Sequence, residues 1–271
     1  DIIDDPNWTL RPDLQPQLLD HLAAARHRVG LPSFLRKGRA ESKGAVLFGQ
    51  IKSKCFSDLG ARLCFKAGHS CWRRIVDSSQ AGCKRGWRVM GRAVQGFLQA
   101  TCYTKEVASL SEAPSCVHAL VTSVAWPTPA GTVASCWRCR APLPRTVGLA
   151  CVDVDQAFES CSGDTVCGEW EVFSESALDQ FSCDRVLVQR GKRVVTKYPR
   201  ETYTSNYYGI TFSMILRAMW AYCRVTLVSL GQVVCELRGL AIGGVFSGAC
   251  VSVRLGGEAH RFCRGLLPRE V

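Results

Sequence analysis

The chain has 271 residues, 47% of them hydrophobic and 21% charged, with a formal net charge of +11. That length supports one large domain or two small ones with a sizeable core, and the composition excludes a disordered tail. No apolar run reaches the ~18 residues a membrane span requires, and no leader pattern follows Asp1, so neither a membrane anchor nor a targeting signal is expected.

Leucines at 14, 18, 19 and 22 followed by alanines predict a helix over residues 13–29, ended by Gly30 and Pro32. Residues 33–44 read as a basic loop. Two apolar-basic runs, Arg62–Lys66 and Cys71–Val76, are joined by Ala67-Gly68-His69-Ser70 and predict a β-hairpin carrying Lys66, Arg73 and Arg74 near its turn. Residues 86–101 predict a helix with Arg88 and Arg92 on a basic face. Residues 111–146 are rich in Pro, Ser and Thr and read as an irregular boundary between subdomains. The apolar run Val147–Val152 predicts a buried strand, and helices are expected over 174–183 and 205–222. Val225–Ser229 and Gln232–Leu237 predict a second hairpin around Leu230-Gly231. The expected fold is mixed α+β, divided into a helical extension (1–35), a basic subdomain (36–146) and a second subdomain (147–271), with no internal repeat.

Charge is distributed unevenly. Residues 36–105 hold fifteen Lys or Arg against three acids (Glu41, Asp58 and Asp77), whereas residues 153–184 hold nine acids and no Lys or Arg. The basic segment is expected to attract phosphates, and the aromatics interleaved with it (Phe65, Trp72, Trp87) suit nucleic acid; a solvated basic face is the plainer reading. The acidic segment is expected to attract cations or basic partners. Of the sixteen cysteines, only Cys136 and Cys139 form a C-x-x-C pair, and no second pair or nearby His completes a zinc set. A zinc site using that pair and a distant Cys or His stays open beside ordinary cysteines. Cys64, Cys151, Cys223, Cys235 and Cys250 lie in apolar stretches and read as small buried hydrophobes, so a reducing, intracellular setting is expected, although counts alone leave a disulfide-rich secreted protein open.

Two segments carry chemistry. Asp153-Val154-Asp155-Gln156-Ala157-Phe158-Glu159 follows the predicted strand 147–153. A carboxylate at the end of a buried strand is costly unless it meets a metal or a positive partner; otherwise the segment is a strand end followed by an acidic helix start. The second segment is Gly239-Leu240-Ala241-Ile242-Gly243-Gly244-Val245-Phe246-Ser247-Gly248. Its glycines permit tight turns and close approach by a ligand, and Ser247 can cap a following helix.

In this order and spacing the segments resemble the reverse transcriptase family, including its telomerase and intron-encoded branches. The family's first palm motif has Asp and an aromatic five residues later, matched by Asp153 and Phe158. Its second reads Gly-x-Pro-x-Gly-x-x-x-Ser, matched at Gly239, Gly243 and Ser247. Lys66-Ala67-Gly68-His69-Ser70-Cys71-Trp72-Arg73-Arg74-Ile75 looks like the fingers hairpin that holds the incoming triphosphate. The resemblance covers roughly residues 45–263. It implies polymerase fingers and the front of a palm, with an antiparallel palm sheet packed on helices.

The implied activity is RNA-directed DNA synthesis: template-dependent nucleotidyl transfer from dNTPs onto a DNA primer along an RNA template, assisted by two Mg2+ ions. By resemblance, Asp153 is the catalytic carboxylate and principal Mg2+ ligand, and the Val154 carbonyl faces a metal. Asp155 shares that face only if the strand continues; otherwise it is solvated or caps a helix. Phe158 lies under the sugar of the incoming nucleotide and disfavours a 2′-hydroxyl. Lys66, Arg73 and Arg74 neutralise the triphosphate. Gly239, Gly243, Gly244 and Ser247 line the template and primer floor, and residues 36–105 grip template backbone. Ala241 replaces the family's Pro and Ile242 its common Gln, which removes a polar contact near the template. No aromatic-x-Asp-Asp follows Ser247 in this sequence; the only Asp-Asp is Asp4-Asp5. The resemblance therefore implies a truncated or degenerate copy that does not polymerise alone. Two other classes stay open: a non-catalytic nucleic-acid-binding protein using the 36–105 face, and an unrelated α/β protein with chance motifs.

Overall fold

A computed structural model describes residues 6–28, 30–36, 44–52, 55–66, 71–78, 83–100, 158, 161–181, 184–191, 195–196, 206–224 and 226–266. In chain order the described elements are β1 (Trp8–Leu10), a 3-10 turn (Pro12–Gln17), α1 (Leu18–Arg28), α2 (Ser33–Arg36), β2 (Ala45–Ile51), α3 (Asp58–Lys66), β3 (Trp72–Asp77), α4 (Lys84–Ala100), α5 (Gly163–Phe181), β4 (Arg185–Gln189), β5 (Val195–Thr196), β6 (Tyr207–Thr211), α6 (Phe212–Arg224), β7 (Thr226–Leu230), β8 (Val233–Leu237) and α7 (Ser247–Leu266). The chain divides into two units, residues 1–104 with 156–271, and residues 105–155. The second unit lies outside the described residues, and with it the boundary segment 111–146, the predicted strand 147–153 and the Cys136/Cys139 pair.

The fold is mixed α+β. A five-stranded sheet runs in the order β1-β8-β7-β2-β3. Its pairs are antiparallel except β2 with β7, where Ala45 lies beside Val228 in parallel. Strand alternation sends Trp8, Leu47, Val76, Val228, Cys235 and Leu237 into one buried layer with Ala241. Leu227 and Val234 project to the opposite face, where they meet Leu14 and Leu18. Arg11 bridges to Glu236 at 2.6 Å on the same side. Strands β1, β2 with β3, and β7 with β8 come from the stretches 1–35, 36–146 and 147–271 respectively, so all three stretches share one sheet. A smaller antiparallel sheet, β5-β4-β6, pairs Val186 with Ile210 and Val188 with Tyr208, and turns those side chains into the main core.

That core is helical. The apolar spacing of Trp87, Met90, Val94 and Phe97 gives α4 one buried stripe, which meets Trp170 and Phe173 of α5, Ile215 and Met219 of α6, and Cys250 and Val253 of α7. Trp170 is 0% exposed, its ring lies against Phe97, Phe173 and Phe212, and its indole N–H donates to the Phe212 carbonyl at 3.1 Å. Trp170→Ala is expected to cost about 3–5 kcal/mol, because it opens a large cavity and removes a buried hydrogen bond to the Phe212 carbonyl. Urea unfolding followed by circular dichroism measures it.

Several elements depart from the sequence expectation. Residues 62–66 belong to helix α3, so the predicted 62–76 hairpin does not form. The Ser57 hydroxyl accepts the Gly60 N–H at 3.1 Å, an N-cap that starts the helix. Strand β3 pairs instead with β2, from Val46 opposite Asp77 to Ile51 opposite Trp72. The helix expected over 13–29 begins as a 3-10 turn, since Pro16 lacks the N–H that an α-helix would use, and becomes α-helical at Leu18. The helix expected over 174–183 starts earlier, at Gly163, where the Ser162 hydroxyl accepts the Thr165 N–H at 3.2 Å. In the stretch 205–222, Tyr207–Thr211 is a strand, and the helix starts at Phe212 with the Thr211 hydroxyl accepting the Met214 N–H at 3.2 Å. The hairpin around Leu230-Gly231 forms as expected, with Gly231 at φ +60°.

Cys161, Cys167, Cys223, Cys235 and Cys250 are buried and outside any disulfide. Burial pushes the Cys167 thiol up to about 12, so it packs as a neutral group. Among the described residues no helix is long and apolar enough to cross a membrane.

Candidate functional site

After β8 the glycine-rich segment runs as a loop into α7. It is tied down mainly through backbone. The Leu240 N–H donates to the Phe158 carbonyl at 3.0 Å, and the Val76 N–H of β3 donates to the Ile242 carbonyl at 2.8 Å. Strand β3 is the edge of its sheet, so the loop occupies hydrogen-bonding positions that would otherwise face outward. Gly243 follows at φ +85°, and a Cβ there would lie 2.7 Å from the Val76 carbonyl oxygen. Both the backbone conformation and the close approach require glycine. Gly244 donates to the Ala241 carbonyl at 3.1 Å, and Ser247 to the Gly244 carbonyl at 3.3 Å, which winds the loop into the first turn of α7.

The far end of the loop rests on an aromatic cluster. Trp87 of α4 lies edge-on to Tyr222 of α6 at 5.0 Å and stacks on Phe246 at 5.6 Å, while Tyr222 and Phe246 meet edge-on at 5.4 Å. The Tyr222 hydroxyl lies 3.1 Å from Ser247 Oγ and accepts the Phe246 N–H at 3.4 Å. Burial pushes the Tyr222 phenol up to about 12 against the opposing pull of those two hydrogen bonds, so it is neutral at ordinary pH.

Helix α7 is locked to α5 by a charged clamp. Glu169, 8% exposed, accepts Arg254 at 2.8 Å and two hydrogen bonds from Arg261 at 2.9 and 2.5 Å, and Glu258 pairs with both arginines. Gly257 lets the carboxylate in, since a Cβ at that position would overlap Glu169 Oε2. Loss of solvent alone would raise the Glu169 pKa; Arg261 and Arg254 outweigh it and hold the carboxyl below the usual range.

The residues singled out in the sequence are dispersed over several elements. Phe158 meets the loop at Leu240 and Gly243 lies against β3; Phe158 is half-buried against the main core, Gly243 is exposed, Gly244 is half-buried and Gly239 is buried. Ser247 is 0% exposed, and its hydroxyl faces Tyr222 and not a backbone amide of α7, which corrects the capping expectation. Arg73 and Arg74 are neighbours in a strand and project to opposite faces of the sheet. Arg73 is exposed opposite Gln50, whereas Arg74 shares the face of Leu47 and Val76, so a ligand on one face meets one of them. Lys66 is exposed at the last turn of α3. Asp153, Val154 and Asp155, like Asp4-Asp5, lie outside the described residues. Among the described residues no group of three or more His, Cys, Asp or Glu is placed to hold a metal ion. Sequence reasoning missed Tyr222. Its one signal is a hydroxyl on the apolar stripe of Ile215, Ala218 and Met219, where a buried polar atom needs a partner.

Compared with known proteins, the chain matches no family model, no curated protein and no solved structure.

Proposed function

We propose that this chain is a protein of reverse-transcriptase lineage, a fingers-and-palm-front unit that engages an RNA template, a DNA primer and a dNTP. One observation carries the reading. The backbone bonds Leu240–Phe158 and Val76–Ile242 gather residues far apart in sequence: Phe158, the aromatic position of the first motif, the glycine-rich loop and the basic strand β3. By the resemblance, Asp153, the Val154 carbonyl and, if the strand continues, Asp155 would supply the hard oxygen donors that Mg2+ prefers. When bound, Mg2+ would supply charge neutralisation at phosphate oxygens. The protein's own part is to cradle the new pair on the Gly243–Gly244 backbone, to place Phe158 next to the loop, and to present Arg73 or Arg74 to phosphate.

The test is fluorescence anisotropy with a recessed RNA–DNA hybrid, with and without dNTP and Mg2+. Hybrid affinity is expected to fall steeply with salt. The dNTP is expected to tighten binding in Mg2+ for the wild type and not for Asp153→Asn. Equal dNTP response in both proteins would count against the lineage. A second reading, a non-catalytic nucleic-acid-binding protein, draws on the exposed Lys66, Arg73 and Arg88 and the exposed Phe48 and Trp72. It is favoured if Lys66/Arg73/Arg74→Ala abolishes binding while Asp153→Asn and dNTP change nothing.

A further inference from the structure

We infer that Tyr222 is the positioning residue of the glycine-rich loop, its hydroxyl fixing the turn that lays Gly243 against β3. The role in nucleic-acid binding rests on the reading above; the latch itself does not. Tyr222 continues the buried stripe of α6 after Ile215, Ala218 and Met219, so the helix delivers its ring to the loop from behind. Trp87 and Phe246 meet the ring edge-on, and its hydroxyl reaches the loop. There it meets the last loop residue and the first helical residue, Phe246 and Ser247. The Phe246 N–H precedes the hydrogen-bonded ladder of α7 and needs an outside acceptor, which Tyr222 provides.

Gly244 is cut to fit this latch. A Cβ at Gly244 would overlap both Tyr222 Oη and Ser247 Oγ. Among the described residues Tyr222 is the only side chain outside the loop that hydrogen-bonds to residues 239–247. The neutral phenol can donate to Ser247 while accepting from Phe246. The turn that carries the exposed Gly243 and the half-buried Gly244 is thus held at its α7 end from α6. Tyr222 acts through the loop and touches no ligand.

Tyr222→Phe keeps the ring and its packing and deletes the hydroxyl alone. Hydrogen exchange by NMR is expected to show the Phe246 and Ser247 amides exchanging about five- to tenfold faster, with β4 and β6 amides unchanged, the size of one neutral hydrogen bond. Anisotropy with the recessed RNA–DNA hybrid is expected to show several-fold weaker binding. Ser247→Ala, which removes the partner and leaves Tyr222 in place, is expected to shift the same amides in the same direction and decides the matter if Tyr222→Phe does not fold. Unchanged exchange at Phe246 in both variants overturns the latch. Wild-type hybrid binding matched by Tyr222→Phe, despite faster exchange, overturns the positioning role. A wild type that binds no hybrid sinks the functional reading, while faster exchange still upholds the latch.

Discussion

Gly243→Ala is expected to destabilise the protein by about 2–4 kcal/mol. An L-residue at φ +85° costs roughly 1–2 kcal/mol by itself. The added Cβ also falls 2.7 Å from the Val76 carbonyl oxygen, an atom of strand backbone that cannot swing aside. The loop must then lift from β3 and give up the Val76–Ile242 hydrogen bond, worth about 0.5–1.5 kcal/mol. Gly231→Ala is the control, since Gly231 also has positive φ (+60°) but faces open space. Urea midpoints should separate the two variants by at least about 1 kcal/mol; equal costs would show that the close approach to β3 contributes nothing. Hybrid binding should weaken for Gly243→Ala and not for Gly231→Ala.

The second large effect lies in the clamp between α5 and α7. Arg254→Ala and Arg261→Ala are each expected to cost about 1 kcal/mol, because the remaining arginine still satisfies Glu169. The double variant is expected to cost about 3–5 kcal/mol, since it strands a buried carboxylate. Glu169→Gln in the double background should recover part of the loss, because an amide is cheaper than an unpaired charge to bury. Acid titration gives an independent reading. The native Glu169 pKa lies below its unfolded value, near ~4.3, so the clamp's contribution is complete above that value. It disappears as pH falls through the lowered native pKa. Wild type should therefore lose stability between neutral and acid pH by more than the double variant does, measured by urea unfolding at each pH.

How far the sequence spoke depended on whether a signal was local. The β7–β8 hairpin was legible because two short apolar runs rich in Val and Leu flank a Leu-Gly turn, and α4 because its apolar residues keep helical spacing. Strand β2 was not, since Phe48-Gly49-Gln50-Ile51 is exposed and its pairing with β7 is set by residues far along the chain. The 62–76 hairpin was misread because its apolar-basic runs suit either structure, and the Ser57 cap that decides for helix lies ahead of them. In the candidate site, the glycines announced a backbone constraint and Gly243 has one. What they could not announce was the object being approached, a β3 carbonyl, or that Ser247 turns inward to a tyrosine on another helix. Adjacent Arg73 and Arg74 look like a pair in sequence; strand geometry separates them.

The sheet order has a consequence for how the protein is made. Arg11 and Glu236, joined across β1 and β8, are 225 positions apart. Strands β2 and β3 can pair soon after leaving the ribosome, but β7, which lies against β2, arrives only at residue 226. At ordinary synthesis rates that is a delay of roughly 10–30 s. For that time Leu47 and Val76 have no β7–β8 layer beside them, and Trp8 waits for Leu237. Nascent chains therefore pass through a long interval with an open sheet edge and an uncovered apolar face, the state in which holding chaperones matter most and mispairing between neighbouring chains begins.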